Sequence, residues 1–348
     1  MEPLTAPSTG MMRAAVLTAV RTVEVQEVPI PTIDDDGVLV RVTANALCGS
    51  DIHSFEGRHA RVKPGGWFGH EPAGIIEAIG PLVDTVVPGQ RVAVDSVLPC
   101  HACEFCRAGH TNRCVAYMTI GSRGDGGLAE YLAVPARNVY PIPEPFSLDT
   151  AALIQPLAIA HHAVHSRAAV SPGSTVAVVG AGPIGLCILA LCRAMGIETT
   201  VSDVRRARLD MAAELGASKV LDASAPLDAE DVKADITFDC VGGESPTILE
   251  ACCAMTRPGG MVVVLGTYSS PAIPIPTAAF NNRELIVVSS RSYTSSSYAA
   301  CVGAAVSDEI EMPPMITHVF PLEGTQEALT RISEGDPSIV KAVIHPGD

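Results

Sequence analysis

The sequence predicts an α/β plus β chain, in which a doubly wound parallel sheet is joined to a strand-rich domain of a different kind. Three observations carry this. At 348 residues the chain is too long for one ordinary hydrophobic core. Up to about residue 139 it reads as short β-branched runs broken by Gly and Pro, with almost no helical periodicity. After Asp149, continuous apolar strands alternate with helical segments, the pattern of a parallel sheet covered on both faces.

Taken in order, residues 1–10 (MEPLTAPSTG) have no apolar period and are expected to form a flexible tail. Val38–Leu47, Ala73–Gly80 and Arg91–Val97 are β-branched strands with turn chemistry at Val87–Gln90, so an irregular β-barrel is expected from Met11 to about Val139, within a first domain over residues 11–157. The stretch from Ala151 to Ala168 lacks turn residues apart from Pro156 and is expected to be helical. Ser174–Gly180 reads as a buried strand, Ile184–Met195 as a helix, Thr199–Asp203 as a strand, and Arg206–Leu215 as a helix closed by Gly216. Asp235–Gly242, Met261–Gly266 and Glu284–Ser290 continue the strands of a sheet domain over 158–295. Ile316–Phe320 and Lys341–Pro346 read as strands that return residues 296–348 to the first domain.

The formal charge of −15 argues against nucleic-acid and anionic-membrane partners. Ala14–Val20 is too short an apolar run for a secretory leader, and no window approaches the length needed to cross a bilayer. Eleven cysteines without a leader fit a reducing compartment, so a cytoplasmic protein is expected.

Cys100, Cys103, Cys106 and Cys114 lie in the run CHACEFCRAGHTNRC. Two-residue gaps let neighbouring thiolates face one centre, and the return at Cys114 supplies a fourth ligand, the pattern of a closed tetrahedral zinc site. Four sulfurs leave no open position, so this lobe (about 97–116) is structural. A disulfide cluster and four unrelated core cysteines are the competing readings.

Gly180, Gly182, Pro183, Ile184 and Gly185 form a GxGxxG run directly after a predicted strand and at the start of a predicted helix. Gly180 permits the tight turn, Gly182 the approach of a pyrophosphate, and Gly185 close helix–strand packing. The helix N-terminus offers N–H groups to phosphates. Asp203 follows eighteen residues after Gly185, where a carboxylate accepts ribose hydroxyls and repels a 2′-phosphate. NAD is therefore expected over NADP, with Arg205, Arg206 and Arg208 close enough to soften the discrimination.

Cys48, His70 and Glu71 are suitable zinc ligands, and three protein ligands leave a fourth position open. Each alone also reads as a core cysteine, a satisfied histidine or a solvated charge. Taken with the motifs CGSDIH (Cys48–His53), GHEPAG (Gly69–Gly74), the cysteine run, DGGLAEY (Asp125–Tyr131) and VGAGPIG (Val179–Gly185), they give a chain that resembles the zinc-containing medium-chain dehydrogenase/reductase superfamily. The likeness is to its polyol branch of sorbitol, galactitol and threonine dehydrogenase-like members.

That resemblance implies a GroES-like catalytic domain joined to a Rossmann domain, two zinc ions per chain, and a homodimer or homotetramer. It implies Cys48 and His70 as catalytic zinc ligands with Glu71 as the third, and Asp51 orienting His70. Ser50 would take the proton of an alcohol and pass it, through the nicotinamide ribose, towards His53. Gln155 stands where many polyol-type relatives have glutamate, which leaves the metal centre less negative and is expected to sharpen its Lewis acidity. The implied reaction is reversible oxidation of a small secondary alcohol to a ketone with NAD. Threonine-type or carbonyl reductase activity, or a non-catalytic metal-responsive role, are the alternatives. Phe55, Trp67, Tyr117 and Arg291 are the candidates for the substrate pocket.

Overall fold

The computed structural model describes residues 10–59, 61–122, 125–224, 232–242, 247–268 and 276–347. The tail expected over residues 1–10 lies, apart from Gly10, outside them. The chain forms two compact units. One comprises Met1–Gln155, Tyr298–Val306 and Ile316–Asp348; the other comprises Pro156–Ser297 and Ser307–Met315. The return to the first unit is thus interrupted, because Ser307–Met315 groups with the second.

The first unit opens with a hairpin of β1 (Met11–Ala19) and β2 (Thr22–Pro29). Then come β3 (Gly37–Ala46), α1 (Gly49–Phe55), β4 (Pro72–Ile79) and β5 (Arg91–Val94). The cysteine lobe holds β6 (Val97–Leu98), α2 (Glu104–Arg107) and β7 (Met118–Thr119). β8 (Tyr131–Pro135), β9 (Val139–Pro141) and α3 (Leu148–Ala151) follow, and α4 (Ile154–His161) carries the chain across the boundary at Gln155 into the second unit. Helix α1 is absent from the sequence-based reading: seven residues span two turns, too few for a 3.6-residue period to stand out.

In the second unit β10 (Thr175–Val179), α5 (Pro183–Ala194), β11 (Glu198–Asp203), α6 (Arg206–Glu214), β12 (Lys219–Asp222) and β13 (Ala234–Asp239) are followed by α7 (Thr247–Met255), β14 (Thr256–Val264), α8 (Thr277–Arg283) and β15 (Ile286–Ser289). The sheet runs β12-β11-β10-β13-β14-β15 with every pairing parallel. Strand order therefore reverses between β10 and β13. Right-handed crossovers on either side of such a reversal put helices on opposite faces, and ligands bind outside the strand ends there. Ala177, Val179, Leu249, Cys252, Met255 and Val262 form part of its core.

After α9 (Ser295–Val306) the chain adds β16 (Ile316–Pro321), α10 (Thr325–Ser333) and β17 (Lys341–His345). These complete a seven-stranded sheet, β16-β17-β3-β4-β5-β9, with β8 also on β3. One edge of β3 takes β8 along residues 37–41 and then β17 at Asn45 and Ala46. That handover brings the end of the chain beside the residues that precede Cys48. Helix α1 is pinned by Ile52 and Phe55, which join Leu17, Phe68, Phe320, Leu329 and Ile344 in a core shared by both parts of the unit.

Phe55 is 1% exposed. Its expected place in a substrate pocket is corrected: the ring faces inward from α1, where its large apolar surface leaves water. Phe55→Ala should cost about 3–5 kcal/mol of stability through cavity formation, measured by denaturant unfolding.

Candidate active site and metal centres

Two clusters of metal-binding side chains are formed among the described residues. In the cysteine lobe the sulfurs of Cys100, Cys103, Cys106 and Cys114 lie within 4.8 Å of one another. Cys100 and Cys106 Sγ are 3.9 Å apart, and all eleven cysteines are free thiols. A disulfide is thereby excluded, whereas metal–sulfur bonds of about 2.3 Å give a tetrahedron with edges of about 3.8 Å. The Cys103 thiol is pulled down to about 6 by the N–H groups of Val115 and Cys106, while burial and the neighbouring thiols push Cys106 up to about 12. The set fits a structural zinc ion.

The second cluster is Cys48, His70 and Glu71, whose ligand atoms also lie within 4.8 Å of one another. Each residue is placed by a local device. Cys48 follows β3 at the start of α1, and its N–H donates to Asp51 Oδ2 at 2.8 Å. The other oxygen of Asp51 is 3.2 Å from His70 Nδ1, so one buried carboxylate fixes both the Cys48 turn and the His70 ring. This leaves Nε2 for a metal. Gly69, at φ +94°, lets the chain turn into His70; a Cβ there would stand 2.8 Å from Asn45 and Leu128. Glu71 precedes β4, where its carbonyl accepts the Ala46 N–H at 3.1 Å.

The electrostatics of this cluster suit a cation. Burial pulls the His70 imidazolium down, but Asp51 and Cys48 outweigh it and hold the ring well above the usual histidine range. Glu71 is 1% exposed, and neither of its oxygens has an aligned hydrogen-bond donor among the described residues. Its close neighbour is the Lys341 ammonium, 2.6 Å from Oε2. Thiolate, imidazole and carboxylate around one point fit a zinc ion with a fourth position open. Gln155 is also buried, with Oε1 unpartnered among the described residues.

The relay candidates stand close by. Ser50 Oγ is 3.4 Å from His70 Nε2. His53 lies half-buried near the end of α1, its pKa lowered by burial and then by Arg58. Sequence reasoning missed His59 and Lys341. His59 Nδ1 accepts the N–H groups of Arg61 and Val62 at 3.3 and 3.2 Å, which leaves the proton on Nε2. Burial lowers its pKa while Asp51, His70 and His53 all act on it, so its ring stands beside the same cluster. Only the unusual lysine in an apolar strand, one of four in the chain, hinted at Lys341.

In the second unit the run Gly180–Gly185 turns from β10 into the first residues of α5, at the edge of the strand reversal. A Cβ on Gly185 would fall 2.0 Å from the Gly180 carbonyl oxygen, so helix and strand pack this closely only through glycine. Among the described residues only Arg208 Nη1 comes near Gly182, 3.8 Å from where a Cβ would stand, leaving a cradle at the α5 N-terminus. Asp203 ends β11; its two oxygens accept Ala181 N–H and Arg205 N–H, each at 2.8 Å. Arg208 Nη1 is 3.9 Å from Asp203 Oδ2, and Arg208 Nε is buried without a partner among the described residues. This loop fits a dinucleotide.

Family models match both halves of the chain: an alcohol dehydrogenase GroES-like domain over residues 34–144 and a zinc-binding dehydrogenase over 183–307. Sorbitol dehydrogenase of Bacillus subtilis is 30% identical, covering 96% of this chain and 97% of its own. The chain belongs to the zinc-dependent medium-chain dehydrogenase/reductase family, in its polyol dehydrogenase branch. L-galactonate-5-dehydrogenase of Escherichia coli is 32% identical over 92% of this chain and 94% of its own. Two solved structures each superpose with a TM-score of 0.89: a zinc-binding dehydrogenase from Sinorhizobium meliloti bound to NADP and an alcohol dehydrogenase from E. coli with NADH. They are 29% and 28% identical and cover 97% of this chain and 100% and 99% of their own.

The remaining pocket candidates of this dehydrogenase are dispersed. Trp67 packs partly buried against Met12, Ala14, Val16 and Ala129. Tyr117 is half-buried, its carbonyl accepting Arg61 Nη1 at 3.1 Å, and Arg291 is exposed. His161 sits 4.4 Å from His165 between ring centroids, and burial pushes it down to about 4, so it is neutral.

Metal analysis separates the two clusters. Cys48→Ala should hold one zinc per chain and lose turnover while still binding NAD. Cys103→Ser should also hold one zinc but lower the melting temperature, because the lobe folds around its metal. Asp203→Ala should shift the NADP-to-NAD ratio of kcat/KM upward by roughly tenfold or more, measured by steady-state kinetics with each cofactor.

Proposed function

We propose that this chain oxidises a secondary alcohol of a small polyol, sugar, cyclitol or amino alcohol to the ketone, reversibly and with NAD. The observation that carries the reading is the Cys48–His70–Glu71 cluster with Ser50 Oγ beside His70 Nε2. Relatives that act on sorbitol and L-galactonate support the polyol class. Cys48, His70 and Glu71 would hold zinc, with Gln155 adjacent. When bound, the ion would supply positive charge that makes the alcohol more acidic, and NAD would supply the hydride acceptor.

The chain's own groups do the rest. Ser50 accepts the hydroxyl proton, and His53, half-buried and held mostly neutral by desolvation, is free to carry it towards solvent. Asp51 keeps the His70 ring in one tautomer by accepting at Nδ1. Gly180, Gly182 and Gly185 admit the pyrophosphate, Pro183 and Ile184 begin the helix that faces it, and Asp203 receives the adenosine ribose. Arg208, set against the same loop, is placed to contact a phosphate.

The chain is further read as a cytoplasmic homo-oligomer. Its eleven free thiols suit a reducing compartment. The outer strand β15 leaves Ile286 and Val287 exposed, an edge suited to pairing with a second copy. No helix of the described residues is long and apolar enough to cross a membrane.

Purified enzyme should reduce NAD on a panel of polyols, cyclitols and amino alcohols and lose that activity to a zinc chelator. Turnover that survives complete removal of the Cys48-site zinc would refute the metal-dependent reading. In Gln155→Glu an added negative charge opposes proton loss from the substrate. The acidic limb of its kcat/KM profile should therefore move to higher pH by about one unit.

A further inference from the structure

Lys341 is the only lysine or arginine in the buried set of the described residues, at 2% exposure. It opens β17, which pairs antiparallel with the end of β3 and whose Ala342 carbonyl accepts the Leu47 N–H at 2.9 Å. The backbone therefore fixes Lys341 next to Cys48 and opposite Glu71. Burying an ammonium is strongly unfavourable without a close counter-charge, and a methionine would fill the same volume with no such cost. Glu71, at 2.6 Å, supplies that counter-charge. The buried Asp51 carboxylate and the Cys48 thiol complete the surrounding charge. Cys48 as thiolate, Glu71 and Asp51 carry three negative charges, and a divalent ion with Lys341 carries three positive ones. Without Lys341 the centre is one charge too negative.

We propose that Lys341 is a positioning residue for the metal site: its ammonium holds the Glu71 carboxylate between itself and the metal and divides that ligand's charge between two cations. This rests on the reading of Cys48, His70 and Glu71 as zinc ligands. A carboxylate shared with lysine donates less to zinc than an unshared one. The ion then keeps more of its charge for the substrate oxygen, at the expense of being held less tightly.

The test compares full-length wild type, Lys341→Met, Lys341→Arg, Glu71→Gln and the double variant Lys341→Met/Glu71→Gln. Readouts are zinc content, the rate of zinc extraction by a chelator, the visible spectrum after Co²⁺ exchange, melting temperature and kinetics. The Co²⁺ spectrum of Cys48→Ala, which keeps only the four-cysteine site, is subtracted. Lys341→Met should retain two zinc ions, alter the Co²⁺ bands of the Cys48 site and slow extraction about threefold or more, as Glu71 moves fully onto the ion. Its kcat should fall about tenfold with KM little changed, and Lys341→Arg should recover part of both spectrum and rate.

Unchanged bands and extraction in Lys341→Met, with only a lower melting temperature, overturn the proposal. If Lys341→Met does not fold, the double variant decides, since it removes both members of the buried pair. Its bands should match those of Glu71→Gln alone, and any further change overturns the proposal. Glu71→Gln bands identical to wild type overturn the ligand reading itself, and the proposal with it.

Discussion

The contact between Glu71 and Lys341 joins the last strand of the chain to a carboxylate just before β4. Both side chains are almost fully buried. Removing one member of such a pair leaves the other charge stranded, a loss of about 3–5 kcal/mol, whereas the pair together adds little net stability. The pairing of β17 with β3 makes the contact possible, since it sets Val343 opposite Ala46 and Ile344 opposite Asn45. A change at either strand therefore bears on the Glu71 contact without touching Glu71.

The site is built on short, stiff elements. Cys48, Ser50, Asp51 and His53 sit at or near the start of α1, whose inward face is nailed down by Ile52 and Phe55. Asp51 ties the Cys48 N–H and the His70 ring to one carboxylate, so the spacing between two ligands from different segments is set by a single buried side chain. A metal centre with an open position needs this, because its ligands must hold their geometry while substrate exchanges.

The dinucleotide loop follows a different logic. It is local: a strand, a glycine turn and a helix N-terminus within a few residues. Asp203 closes the loop, accepting the N–H groups of Ala181 and Arg205, at the end of the second strand of the fingerprint. Arg208 beside it supplies positive charge at the same end of the sheet, 3.9 Å from the Asp203 carboxylate.

What the sequence determined by itself was whatever is encoded at short range. The four-cysteine lobe, the Gly180–Gly185 fingerprint and the strand–helix alternation are legible because ligands, turns and periodicities lie within a few residues of one another. Short or weakly patterned pieces escaped: α1 is only two turns long, and α10 is hidden in a mixed segment although Ala328 and Leu329 are buried along it. Phe55 looked like a pocket residue because it follows a metal motif, and only packing showed that it faces the core. Lys341 lies 270 residues from Glu71, and no spacing rule reaches that far. Sheet pairing alone decided that a lone lysine in an apolar strand would face a metal-site carboxylate, because a buried charge takes its meaning from the partner that the fold puts beside it.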